Sequence, residues 1–232
     1  MLENRVSEES FKKVFRIEAG ALRGTGFLVE YNRNRFLITA RHVFESTKYP
    51  SRMTLQIDRN DKWESFDAEI FYHTNTDIDI AVIKADYLDG IVGGTLKCKS
   101  TQMTICQDVF MLGFPYGMKI AAYECNDGYP YPLVKKGTLS GLMKVKGKTV
   151  WIMDWNGNEG FSGGPVIYRS YKDGDDHFED LVAGIISSGR CNNLAVLDKN
   201  NNVTDYHVQE STGIGYVFNI DDAMEIIEQN CK

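Results

Sequence analysis

At 232 residues and 43% hydrophobic composition, the chain can bury a sizeable core within one domain. Its formal net charge of -6 leaves no basic footprint for nucleic acid. No apolar run reaches the ~20 residues that span a bilayer, and the polar start Met1 to Glu9 lacks a signal-peptide core.

In chain order, Ser7 to Lys12 predicts a short helix capped by Ser7, followed by a strand from Val14 to Ile17. Phe27 to Tyr31 and Arg35 to Thr39 predict a hairpin about Asn32-Arg33-Asn34. Strands over Met53 to Ile57, Phe66 to Tyr72 and Ile80 to Lys84 complete a first β-unit. Asp86 to Gln102, with three glycines, reads as a linker. A second β-unit takes Val109 to Gly113, Thr138 to Val145, Thr149 to Asp154, Gly164 to Arg169 and Leu181 to Ser187. Lys172 to Asp176 reads as a solvated hairpin tip, since its spacing does not match a calcium-binding loop. Cys191 to Thr212 is asparagine-rich, a hairpin or loop beside the cleft. Gly128 to Pro132 is a rigid turn or part of the cleft wall. The end is helical: Asp221 and Asp222 favour a helix start, and Ile220, Met224 and Ile227 share a face.

Three segments carry chemistry. Gly160-Phe161-Ser162-Gly163-Gly164-Pro165 is a glycine-lined turn with a serine at its apex. A serine hydroxyl needs a base to become a nucleophile, and the attacked carbonyl needs donors for its growing charge. Thr39-Ala40-Arg41-His42 ends an apolar strand with a histidine. Thr76-Asp77-Ile78-Asp79-Ile80-Ala81-Val82 sets Asp79 at the mouth of another strand, with Asp77 as the alternative carboxylate. Each alone is commonplace, but three such motifs in the order His, Asp, Ser are not.

Those motifs resemble the chymotrypsin-like (trypsin-type) serine peptidases. Asn158-Glu159-Gly160-Phe161-Ser162-Gly163-Gly164 and Met111-Leu112-Gly113-Phe114-Pro115 are most similar to the Deg-type branch, here without the PDZ module that branch usually carries. The resemblance implies an all-β fold of two six-stranded barrels with a short N-terminal and a C-terminal helix. The single domain would span 1–232, with barrels at about 13–100 and 103–219 and the helix at about 220–230. It also implies Ser162 as nucleophile, His42 as base and Asp79 as its orienting carboxylate, with the amides of Gly160 and Ser162 as oxyanion hole. Asn156, Ser187, Ser188 and Gly189 would bind substrate. Asn156 stands where a Lys/Arg-specific pocket has an aspartate, so an uncharged substrate side chain is expected.

No cofactor or metal is expected. The expected partners are a protein or peptide substrate and an activating protein, with no nucleic acid and no membrane. The five cysteines lack zinc spacing and the positions that secreted relatives use. They read as reduced thiols of a cytoplasmic protein, with Cys191 near the presumed substrate strand. His73, His177 and His207 read as polar-loop residues without a catalytic part. Zymogen activation in the family needs a carboxylate where this chain has Phe161, so other contacts must order residues 156–161. A fold that keeps the cleft but only binds a peptide or protein is the alternative function, and esterase chemistry a third.

Overall fold

The computed structural model describes residues 5–44, 49–145, 147–171 and 178–230. The hairpin tip read at Lys172 to Asp176, and His177, lie outside the described residues. Six strands close the first barrel: β1 (Val14–Ala19), β2 (Leu22–Tyr31), β3 (Asn34–Thr39), β4 (Arg52–Arg59), β5 (Lys62–Tyr72) and β6 (Ala81–Lys84), in the order β1-β2-β3-β6-β5-β4. Two of its hairpins turn on residue pairs with positive φ, Asn32 (50°) with Arg33 (65°), and Asn60 (51°) with Asp61 (59°). That geometry matches the twist of the flanking strands, and asparagine and aspartate tolerate it better than most residues.

The segment read as a linker holds a short helix, α2 (Asp86–Asp89), and the two-residue β7 (Lys97–Cys98). It follows α1 (Glu8–Phe11) in helix order. The Ser7 hydroxyl does not cap α1: it donates to Asp180 Oδ2 at 2.6 Å, which ties the N-terminus to the second β-unit. That unit comprises β8 (Asp108–Gly113), β9 (Leu133–Val145), β10 (Lys148–Asp154), β11 (Pro165–Tyr171), β12 (Phe178–Leu197) and β13 (Val203–Asn219). They run β11-β8-β9-β10-β13-β12, a β11–β12 pairing closes the ring, and β7 adds to β12 in parallel. The fold is the trypsin-like double barrel.

Period-two alternation explains why the central strands are apolar on both faces. On β3 and β6, Leu37 and Ile83 point into the first barrel, while Ile38 and Val82 face the other barrel. There they meet Phe110, Leu112, Ile167 and Val182, so a third core seals the barrels together. The terminal helix α3 (Ile220–Asn230) packs Ile220, Ala223, Ile226 and Ile227 into that same core, with Met224 at its margin. Asn219 Oδ1 caps it from the Asp221 amide at 2.9 Å. Gly128 to Pro132 is a brace rather than a cleft wall: Tyr129 is buried edge-to-face on Phe15 and bonds the Tyr87 hydroxyl at 3.0 Å.

Candidate active site

β3 ends at Thr39, and a single 3-10 turn over Arg41–Val43 presents His42 at the barrel junction. Arg41 is buried with its guanidinium 3.8 Å from the Tyr49 ring centre, and it reaches Thr76 O. It thereby fastens the histidine turn to the loop that carries Asp79. Asp79 accepts three hydrogen bonds: the His42 amide on Oδ1 at 2.8 Å, and His42 Nδ1 at 2.6 Å and Ser187 Oγ at 2.5 Å on Oδ2. With Nδ1–H donating to the carboxylate, Nε2 is left with its lone pair. Burial acts to lower the imidazole pKa, but the hydrogen bond and charge of Asp79 outweigh it and hold it above the ordinary histidine value.

The serine turn docks on the first barrel. Thr25 N donates to Ser162 O at 2.9 Å, and the buried Thr25 hydroxyl donates to Gly160 O at 2.7 Å and accepts from Phe114 N at 3.2 Å. At Gly163, φ is +84°, and a Cβ would fall 2.2 Å from Thr39 Oγ1, so only glycine fits. His42 and Ser162 line one cleft of about 230 Å³. Among the described residues Ser162 Oγ hydrogen-bonds Ser187 O at 3.2 Å, not His42.

The turn that precedes Ser162 is held by a defined set of hydrogen bonds. Phe161 N donates to Asn158 O at 3.3 Å and Gly160 has φ +97°, a type II turn with glycine in its third place. Glu159 O faces outward to Tyr116 N at 2.8 Å. Across the trans peptide the Gly160 N–H therefore points the opposite way. Neither that amide nor the Ser162 amide has a hydrogen-bond partner among the described residues. Lys135 Nζ donates to Asn156 O and Asn158 Oδ1, and Asn158 Nδ2 donates to the Tyr116 hydroxyl, bracing the turn. Phe161 is fully buried, edge-on to Trp155 with ring centres 5.3 Å apart. An apolar plug thus occupies the place of the zymogen carboxylate.

Asn156 is exposed and stands off the cleft wall, which Trp155, Gly157 and Asn158 form instead. Ser187, Ser188 and Gly189 all line the cleft, and the Ser187 hydroxyl donates to Asp79 Oδ2. His73 lies in the polar loop just past β5, as expected, but its side chain is buried. Its Nδ1 accepts from the Asn75 amide and its Nε2 lies 3.5 Å from Glu225. His207 is on the exposed part of β13. Sequence reasoning missed Trp155, whose indole lies so close to Gly215 that a Cβ there would sit 1.6 Å from Nε1. The glycine pair flanking it, Gly157 and Gly215, was the available signal.

A histidine–carboxylate pair and a serine turn meeting at the junction of two β-barrels define the architecture of trypsin-like peptidases. The chain belongs to that family: its trypsin-like peptidase domain model matches residues 24–173. No curated protein sequence matches the chain significantly. Among solved structures, it is similar to the M. tuberculosis protease Rv3671c in its active form, with TM-score 0.57, 17% identity, and coverage of 94% of this chain and 81% of that one. The inactive form gives 0.56 and 16%, covering 96% and 91%. The HtrA-type protease AlgW with a tripeptide gives 0.58 and 16%, covering 95% of this chain and 60% of AlgW. At these identities the likeness is one of fold.

Proposed function

We propose that the protein is a serine endopeptidase that cleaves polypeptides through an acyl-enzyme. Ser162 attacks the peptide carbonyl, His42 takes its proton and returns it to the leaving amine, and Asp79 fixes the tautomer and stabilises the imidazolium. The amides of Gly160 and Ser162 receive the oxyanion. The observation that carries this reading is the joint geometry: an Asp79-bonded His42 in one cleft with Ser162, and the Gly160 and Ser162 amides without a partner among the described residues. Ser187 O is the acceptor a substrate N–H would claim, and that exchange frees Ser162 Oγ to turn to His42.

Trp155, Ile186, Ser188 and Gly189 line the cleft beside Ser162, and none of the four carries a charge. A small uncharged side chain before the scissile bond is what this lining accepts. The cytoplasm is the compartment proposed, because no disulfide forms among the described cysteines. An activating protein partner would act on the turn over residues 156–161. The test is to digest a mixture of unfolded proteins and read the new termini by mass spectrometry. Internal cuts after small uncharged residues are expected. An absence of new termini would favour a cleft that binds without cleaving.

A further inference from the structure

The asparagine-rich segment is not a loop. β12 runs 20 residues and β13 17, and beyond Ser187 they leave the barrel as a two-stranded ribbon whose residues are largely exposed. One edge of β12 is covered by β13 from Gly184 to Leu197. The other is covered by β11 only as far as Ile185, after which Gly163 N and Gly164 O close on Ile186. From Ser187 outward no strand among the described residues pairs with that edge. The open edge therefore starts at the residue whose carbonyl holds Ser162 Oγ.

Exposed edges in proteins are usually blunted by lysine, proline or inward charges. From Ser187 to Leu197 the sequence is Ser-Ser-Gly-Arg-Cys-Asn-Asn-Leu-Ala-Val-Leu, with Arg190 its single charge and no proline. The register with β13 is regular from Cys191↔Ser211 to Ala195↔His207 and bulged on either side. Within that stretch Leu194 and Val208 are directly paired and 46% and 55% exposed, so one face of the ribbon carries apolar side chains.

Resting on the serine-peptidase reading, which already assigns Ser187 to Gly189 to substrate, we propose that the ribbon edge beyond them, Arg190 to Leu197, is an additional docking strand: an unfolded polypeptide with apolar residues at alternate positions continues along it as a further antiparallel strand. Antiparallel addition makes that polypeptide run from the ribbon tip towards Ser162, so the residues N-terminal to the scissile bond lie along the ribbon. At ~3.3 Å per residue the edge engages about eight of them. The bulges favour this occupant over a second copy. A flexible peptide follows a bent, twisted edge, whereas two bulged edges do not match each other.

Two fluorogenic peptides share a cleavage site, one with three residues before it and one with about ten, apolar at alternate positions. The wild type is compared with a variant in which residues 193–209 are replaced by Asn-Gly. The long peptide is expected to have about a tenfold higher kcat/KM in the wild type, and the ratio to fall to about one in the variant. Independently, the long peptide should slow amide exchange across Cys191–Ala195 in Ser162→Ala. A ratio that survives truncation, or exchange that does not change, overturns the proposal. So does self-association that truncation abolishes and the long peptide fails to displace. If a fluorophosphonate fails to label the wild type, the serine-peptidase reading falls, while the exchange experiment still decides the docking.

Discussion

Replacing Phe161 tests whether an apolar plug performs the ordering that a buried ion pair performs in zymogen-derived relatives. The side chain is fully buried against Trp155 and beside Gly113, where a Cβ would already lie 2.6 Å from its ring. Phe161→Ala therefore opens a cavity that the packed barrel cannot collapse around, a loss of about 3–5 kcal/mol. For a chain of this size that lowers Tm by roughly 10 °C. The second consequence separates an ordering role from mere core filling. With its anchor gone, the turn from Asn158 to Phe161 samples orientations in which the Gly160 N–H leaves the cleft. Loss of such a donor slows acylation by up to roughly 10²–10³. The assay is the fluorophosphonate labelling rate at a temperature where near-ultraviolet circular dichroism shows the variant fully folded. A tenfold or greater slowing is expected for Phe161→Ala, and a smaller one for Phe161→Leu, which keeps apolar contact. If Tm falls but folded Phe161→Ala labels as fast as wild type, the plug does not order the turn.

Thr25→Val keeps shape but strands Gly160 O and Phe114 N, so a stability loss of about 1–3 kcal/mol and slower labelling are expected, measured by denaturant unfolding and probe kinetics. With neutral His42 as the proposed base and Asp79 raising its pKa, hydrolysis should rise with pH through a midpoint above about 6.5. Asp79→Asn should lower that midpoint and the rate by roughly 10⁴, read from a pH–rate profile. The same raised pKa contributes stability that is fully present below the unfolded histidine value and is lost as pH climbs through the folded one. Trimming the chain to start at Lys12 removes the Ser7 and Ser10 bonds to Asp180 and should lower Tm without accelerating labelling. An acceleration that needs the new free amine would restore zymogen-like control.

Much of this was written in the chain because the strands that hold the site are buried on both faces. Phe36-Leu37-Ile38 and Ile80 to Ile83 could only be interior strands, so the residues ending or opening them, His42 and Asp79, were forced to the barrel junction. The glycines around Ser162 reported the close approach of β2 and β3. The ribbon was only half legible: with no core to face, its alternation is diluted by asparagine. Asn156 is exposed and is not among the cleft-lining residues, because spacing from the serine does not say which way a side chain turns in a tight loop. The roles of Trp155, Tyr116 and Ser187 depend on side-chain direction and on a positive φ of 52° at Tyr116, which no residue type announces. His73 stands in the polar stretch its neighbours suggest, yet it is buried, with Glu225 of α3 3.5 Å from its Nε2.

The central claim is that Ser162 is the nucleophile. The most direct measurement is a peptide map of the protein after reaction with a fluorophosphonate. A single adduct on the peptide containing Ser162, absent in Ser162→Ala and in His42→Ala, is the result this account requires. An adduct on another serine, or none on a folded wild-type protein, would contradict it.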